Sequence, residues 1–170
     1  GTSHEALADT FALRNLTKMI QERLPEVWES LPGLLDKRAV TGRLSAALRA
    51  GPTDPAAVVV YSSARIRTSE RSSSLYLVLG HETGPAGQWW LLNLDRDPTA
   101  LLSQDPEHVG RQWYSGERRE EWRSLQRVNP RRFPFVIPVS PRHAGLLDRH
   151  GLAPDTVEMH RETAVRAGVA

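Results

Sequence analysis

The sequence predicts an α+β fold, a single domain over residues 1–170 in which helices frame an antiparallel β-meander. Three observations predict it. Residues 56–97 hold three apolar runs, Val58–Ile66, Leu75–Leu79 and Trp89–Leu94, each rich in β-branched, aromatic or leucine side chains and short for a helix. The residues before them, 5–50, repeat their apolar positions near the helical period. The later stretch Phe133–Val139, FPFVIPV, has strand composition, yet Pro134 and Pro138 remove two amide donors. Only an edge strand tolerates that loss.

Taken in order, Leu7, Phe11, Leu13, Leu16 and Ile20 mark a first helix that Pro25 closes. Glu26–Leu35 gives a shorter second helix holding Trp28 and Leu31. Asp36 or Thr41 caps a third, with Ala39, Leu44, Ala47 and Leu48 along one side and Gly51-Pro52 as its stop. The strands are expected at about 57–67, 74–81 and 88–95, joined by turns at Thr68–Ser72 and His81–Gly87. All three begin apolar on both faces, so both faces need cover. The N-terminal helices supply one cover and the C-terminal half, 98–170, supplies the other. That half holds short helical turns at 99–104 and 106–114 and a helix over 117–128 with Trp122, Leu125 and Val128 on one side. The edge strand 133–139 follows. A helix capped by Ser140 runs to Gly151, and a last one opens at Asp155 and Glu158 and ends near Arg166.

Cysteine is absent, which removes disulfides, thiolate nucleophiles and Cys-ligated zinc. No run approaches the length of a membrane span, and no basic-then-apolar leader opens the chain. A cytoplasmic location with no membrane partner is the expectation. Lys18 and Lys37 are the only lysines among 22 basic residues, a bias that suits a GC-rich bacterial genome of the actinobacterial kind. The formal net charge is +2, but residues 111–132 alone carry seven basic against three acidic side chains.

The candidate chemistry is sparse. Hairpin geometry puts His81-Glu82 and Asp95-Arg96-Asp97 at opposite ends of the meander, because a strand of this length spans roughly 17–20 Å. They cannot share one ligand sphere. Asp95 instead falls beside Ser73 or Ser74, and Asp95 and Asp97 fall near Arg67 and Arg71 for ion pairing. The catalytic candidates are therefore Arg65, Arg67, Asp95 and Asp97, at one strand end where loops carry sites. His143 and His150 share a helical face with only His160 to add, which is not a zinc pattern, so neither metal nor cofactor is expected. The glycines of Gly80–Gly87 join two strands and lack a P-loop's lysine and spacing. Arg65, Ser72–Ser74 and Glu120 follow the chain order of the arginine, Ser-Thr-Ser and glutamate of some ADP-ribosyltransferases. Ser-Thr-Ser itself is missing and Glu120 lies in a predicted helix, so the match is read as coincidence.

The most distinctive surface feature is basic. Arg119, Arg123 and Arg127 form a stripe on the predicted 117–128 helix, flanked by Arg131 and Arg132, with Trp113, Tyr114 and Phe133 close in sequence. Arginine among aromatic rings suits single-stranded nucleic acid or another anion. Against this, Glu117, Glu120 and Glu121 on the same helix can neutralise the stripe at helical spacing. With no signature motif, the first functional expectation is a non-catalytic protein-interaction or regulatory module with an unknown protein partner. An enzyme with a pocket near Arg65, Arg67 and Asp95 comes second. RNA or single-stranded DNA binding through 111–132 comes third, so nucleic acid is the less favoured partner.

Overall fold

Three valines and a tyrosine in a row, Val58–Tyr61, form the strand on which the sheet is built, and all four side chains are buried. The computed structural model describes residues 2–23, 25–34, 36–62, 73–82, 87–105, 107–109, 111, 123–132, 134–139 and 153–166. Its helices before the sheet are α1 (Thr2–Arg23), α2 (Pro25–Leu34) and α3 (Lys37–Ala50). A 3-10 turn, Pro55–Ala57, leads into β1 (Val58–Ser62), β2 (Ser73–His81) and β3 (Trp89–Asn93). Then come α4 (Thr99–Leu102), β4 (Leu125–Val128), a 3-10 turn (Pro130–Arg132), β5 (Phe135–Pro138) and α5 (Pro154–Arg166). The strands make one antiparallel sheet in the order β4-β3-β2-β1-β5.

This is the predicted α+β architecture with one strand more than expected. The meander and the proline-flanked edge strand stand where the sequence placed them, β5 pairing with β1 from Val59↔Pro138 to Ser62↔Phe135. The extra strand, β4, lies at the other edge, within the stretch predicted as the 117–128 helix. The predicted helix at 140–151 lies outside the described residues.

Strand alternation sorts the apolar side chains onto two faces. Val59, Tyr61, Tyr76, Val78, Trp89, Leu91, Val128 and Val136 gather on one, against Val40, Leu44 and Ala47 of α3. Val58, Val60, Leu75, Leu77, Leu92 and Leu94 gather on the other, against Leu101 of α4 and Ala164 of α5. Both faces are covered, as the composition requires, and α3 supplies the buried helical residues on the first. α1 packs on α2 and leaves Leu7, Phe11 and Leu13 exposed.

Local chemistry fixes both covers. Asp36 caps α3 by accepting the Arg38 amide at 2.8 Å, and Gly51, at φ 80°, ends it by turning its N–H back to Leu48 O. From α3, Arg43 Nη1 donates to Val136 O at 3.0 Å and so occupies a carbonyl of the edge strand β5. On the opposite cover, His160 of α5 is buried, and its Nδ1–H donates to Leu94 O at 2.7 Å. Arg161, also buried, bonds Glu158 and reaches Pro52 O at 3.2 Å, tying α5 to the loop after α3.

The sheet is not flat. β4 and β5 sit at its two edges, about 19 Å apart if it were flat. Only residues 129–134 join them, and three of these are wound in a 3-10 turn, leaving a reach of roughly 20 Å before any offset along the strands. β5 starts at the strand end opposite to where β4 stops, so a flat sheet would outrun the linker. α3 touches β1, β2, β5 and the 3-10 turn.

Leu44 is fully buried at this junction. Leu44→Ala is expected to lower the unfolding free energy by about 2–5 kcal/mol in urea titrations. Leu13→Ala, at a position 65% exposed, is expected to stay within about 0.5 kcal/mol of the parent.

Candidate nucleic-acid interface

Two ends of the sheet carry polar side chains, and they differ in character. At the end where β1 meets β2, Ser74 is buried and its hydroxyl lies between Asn93 Oδ1, at 2.9 Å, and the carboxylate of Asp95. The Asp95 amide donates to Asn93 Oδ1 at 2.8 Å, and Asn93 Nδ2 reaches Tyr76 OH at 3.5 Å. This network closes the end of β3 and satisfies polar groups that the sheet would otherwise bury unpaired. Asp95 thus falls beside Ser74, as the hairpin register predicts. Arg65 and Arg67, expected to share a pocket with it, lie outside the described residues, as does Arg71. Asp97 is exposed just ahead of α4 and accepts from the Thr99 hydroxyl at 2.6 Å and the Thr99 amide at 2.9 Å.

The β2–β3 turn end is aromatic and basic. It contains His81, Glu82, Trp89 and Trp90, and β4 adds Arg127, which is paired with Trp90 in register. A β-bulge between Val78 and Gly80 sets the geometry. One extra residue reverses the alternation, so His81 comes to the face of Trp89. Its exposed ring stacks on the buried Trp89 indole, centroids 5.1 Å apart and planes 25° apart. On the other face, the Arg127 guanidinium lies over the Trp90 ring, 5.7 Å from its centroid. Glu82 joins the two: Oε2 accepts from Arg127 Nη2 at 2.7 Å and Oε1 from Trp90 Nε1 at 3.1 Å. Just beyond β4, Asn129 folds the chain into the 3-10 turn by accepting the Arg131 amide on Oδ1, at 2.9 Å, and the Arg132 amide on its carbonyl, at 3.0 Å. The Arg131 and Arg132 side chains are exposed there.

The predicted arginine stripe is therefore corrected. Leu125–Val128 is a strand, so Arg123 and Arg127 are not successive turns of one helix face, and Arg119 lies outside the described residues. Arg123 is exposed just ahead of β4. The spacing of Trp122, Leu125 and Val128 fits a helix, but the open edge of β3 offers four backbone pairings, and tertiary pairing overrides a short local pattern. Glu117, Glu120 and Glu121, expected to neutralise Arg127, lie outside the described residues, and an anion that does meet its guanidinium is Glu82, 45 positions away. Glu82 and Trp90 were not legible as site residues, because their common neighbour is on the unpredicted strand. Among the described residues, no three His, Asp or Glu side chains stand where they could hold a metal ion, and no helix is long and apolar enough to cross a membrane. His143 and His150 lie outside the described residues.

No protein-family model and no curated protein matches the sequence. Solved structures do match the fold. The metal-free E. coli ExoI–ssDNA complex superposes with a TM-score of 0.70 at 15% identity, over 96% of this chain and 35% of that one. This chain shares its fold with part of exonuclease I. The ExoI/SSB-Ct complex gives 0.72 at 16% identity, over 96% and 35%. A moderately thermophilic exonuclease I from Methylocaldum szegediense gives 0.67 at 18% identity, over 89% and 32%. The chain spans about a third of the length of the exonuclease I chains it matches. This likeness overturns the expectation of a non-catalytic protein-interaction module. It also overturns the ranking of nucleic acid behind an unknown protein partner, since the matching chains are those of a nuclease, one of them solved with single-stranded DNA.

The Asp97 carboxylate makes stability depend on pH. The bonds from the Thr99 hydroxyl and then the Thr99 amide, with the charge of His160 acting the same way against a slight desolvation, hold the Asp97 carboxyl below its ordinary 3.8. A depressed folded value means the stabilisation is complete above 3.8 and is lost as pH falls through the folded value. The stability gap between the parent and Asp97→Ala is expected to hold constant from neutrality to about pH 5 and to narrow below 3.8, followed by thermal melts across that range.

Proposed function

We propose that this chain binds single-stranded DNA along the β2–β3 turn end of its sheet. The observation that carries the reading is the Arg127 guanidinium over the Trp90 ring on an edge strand, followed within five positions by the exposed Arg131 and Arg132. Guanidinium groups neutralise phosphates and release counterions, and flat rings offer a sequence-tolerant surface for bases. The exposed His81 ring, held flat by Trp89, adds a further stacking surface at the same sheet end. The fold likeness to exonuclease I supports the reading, because one of those chains was solved with single-stranded DNA bound.

On this reading the backbone lies along Arg131 and Arg132, and bases turn toward the rings. Because phosphate contacts dominate, affinity is set by charge and salt more than by sequence. A fluorescently labelled oligothymidylate is expected to bind with anisotropy that falls steeply between about 50 and 200 mM salt. The double substitution Arg131→Ala/Arg132→Ala is expected to flatten the log–log salt slope by about 1.4, two phosphate contacts at roughly 0.7 each. A parent protein that does not bind, or a salt slope the double variant leaves unchanged, rejects the assignment.

A further inference from the structure

Building on the DNA-binding reading, we propose that Glu82 occupies on Arg127 the position a DNA phosphate takes, so that binding exchanges one anion for the other. Three features of the site point to exchange rather than a permanent tie. The pair is part-buried but open to solvent, with the Arg127 side chain 32% exposed and Glu82 27% exposed, so an incoming anion can reach it. The Glu82 contact uses Nη2 of Arg127. A guanidinium presents a fork of donors, and phosphate oxygens match that fork better than one carboxylate oxygen does. The guanidinium plane also has a second support in the Trp90 ring, which holds it in place when the carboxylate leaves.

Glu82 is well placed to return. Its amide donates to Gln88 O at 2.8 Å, closing the base of the β2–β3 turn, so the backbone of Glu82 is fixed while its side chain moves. When Oε1 withdraws, the Trp90 indole N–H is released toward the same ligand, a donor beside the ring against which a base would rest. The acid therefore does two things in the free protein. It holds Arg127 and Trp90 in register, and it screens the guanidinium from anions weaker than a nucleic-acid backbone. The ligand class is a phosphodiester with an adjoining base.

The test is a double-mutant cycle with the labelled oligothymidylate: parent, Glu82→Gln, Arg127→Ala and the double variant, at one low salt concentration. Glutamine keeps the shape and the acceptor for Trp90 Nε1 but removes the charge. Glu82→Gln is expected to bind about three- to fivefold tighter, the scale of one lost surface ion pair. In the Arg127→Ala background the same substitution is expected to change affinity by less than about 1.5-fold, because the gain acts through Arg127. Equal or weaker binding by Glu82→Gln beside a parent that binds would overturn the exchange and leave DNA binding standing. So would an undiminished gain in the Arg127→Ala background, which would mark a general charge effect. No binding by any of the four would reject the DNA-binding assignment itself, and the exchange with it.

Discussion

The central strands have no polar face. β1, β2 and β3 present valine, leucine, tyrosine and tryptophan in both directions, and this double burial is what the remaining elements serve. Each face needs its own cover, and each cover is pinned by polar contacts to strand carbonyls or connecting loops. Arg43 carries α3 to Val136 O, and His160 carries α5 to Leu94 O. Those bonds sit where apolar packing alone would let a helix slide, since dispersion and desolvation have no direction. Covering both faces also confines the exposed polar chemistry to the strand ends and edges.

The short connection between β4 and β5 adds a second constraint. Residues 129–134 are too few to cross a flat sheet, and the 3-10 turn that carries Arg131 and Arg132 lies against α3. The arginines start three residues beyond Val128, which pairs with Trp89, so charge and ring surface begin at the same sheet end. The fold positions the basic segment through this short connection.

Much of this was legible from residues alone, and the reason is locality. The meander follows from composition and alternation. The Ser74–Asp95 contact follows from hairpin register, which needs only the turn between two neighbouring strands. The edge character of Phe135–Pro138 follows from two missing amides. β4 was not legible, because four residues, LQRV, carry no periodic signal of their own and become a strand only when the edge of β3 is there to receive them. That one omission hid the rest of the site. On a helix, Arg127 would have Glu117, Glu120 and Glu121 as its counter-charges within local spacing, and nothing local marks Trp90 as more than a sheet residue. A contact between positions 82 and 127 has no trace in local pattern, since it depends on two edges of pairing at once.

The bulge in β2 is what makes that contact possible. Strict alternation from Tyr76 and Val78 would carry Glu82 to the face of α3, with Trp89 and away from Arg127. The extra residue between Val78 and Gly80 reverses the parity, so that His81 takes the Trp89 side and Glu82 the side of Trp90. Without it an acid would project toward an apolar core on one face, while an arginine on the other met an indole with no anion between them. The outlying position of the bulge also matters. Register upstream of Val78 stays regular through Leu75 and Leu77, so the core is undisturbed, and the shift affects only the last residues of the strand. A single inserted residue thus separates two tasks within one strand: its first part packs, and its end presents polar groups to solvent.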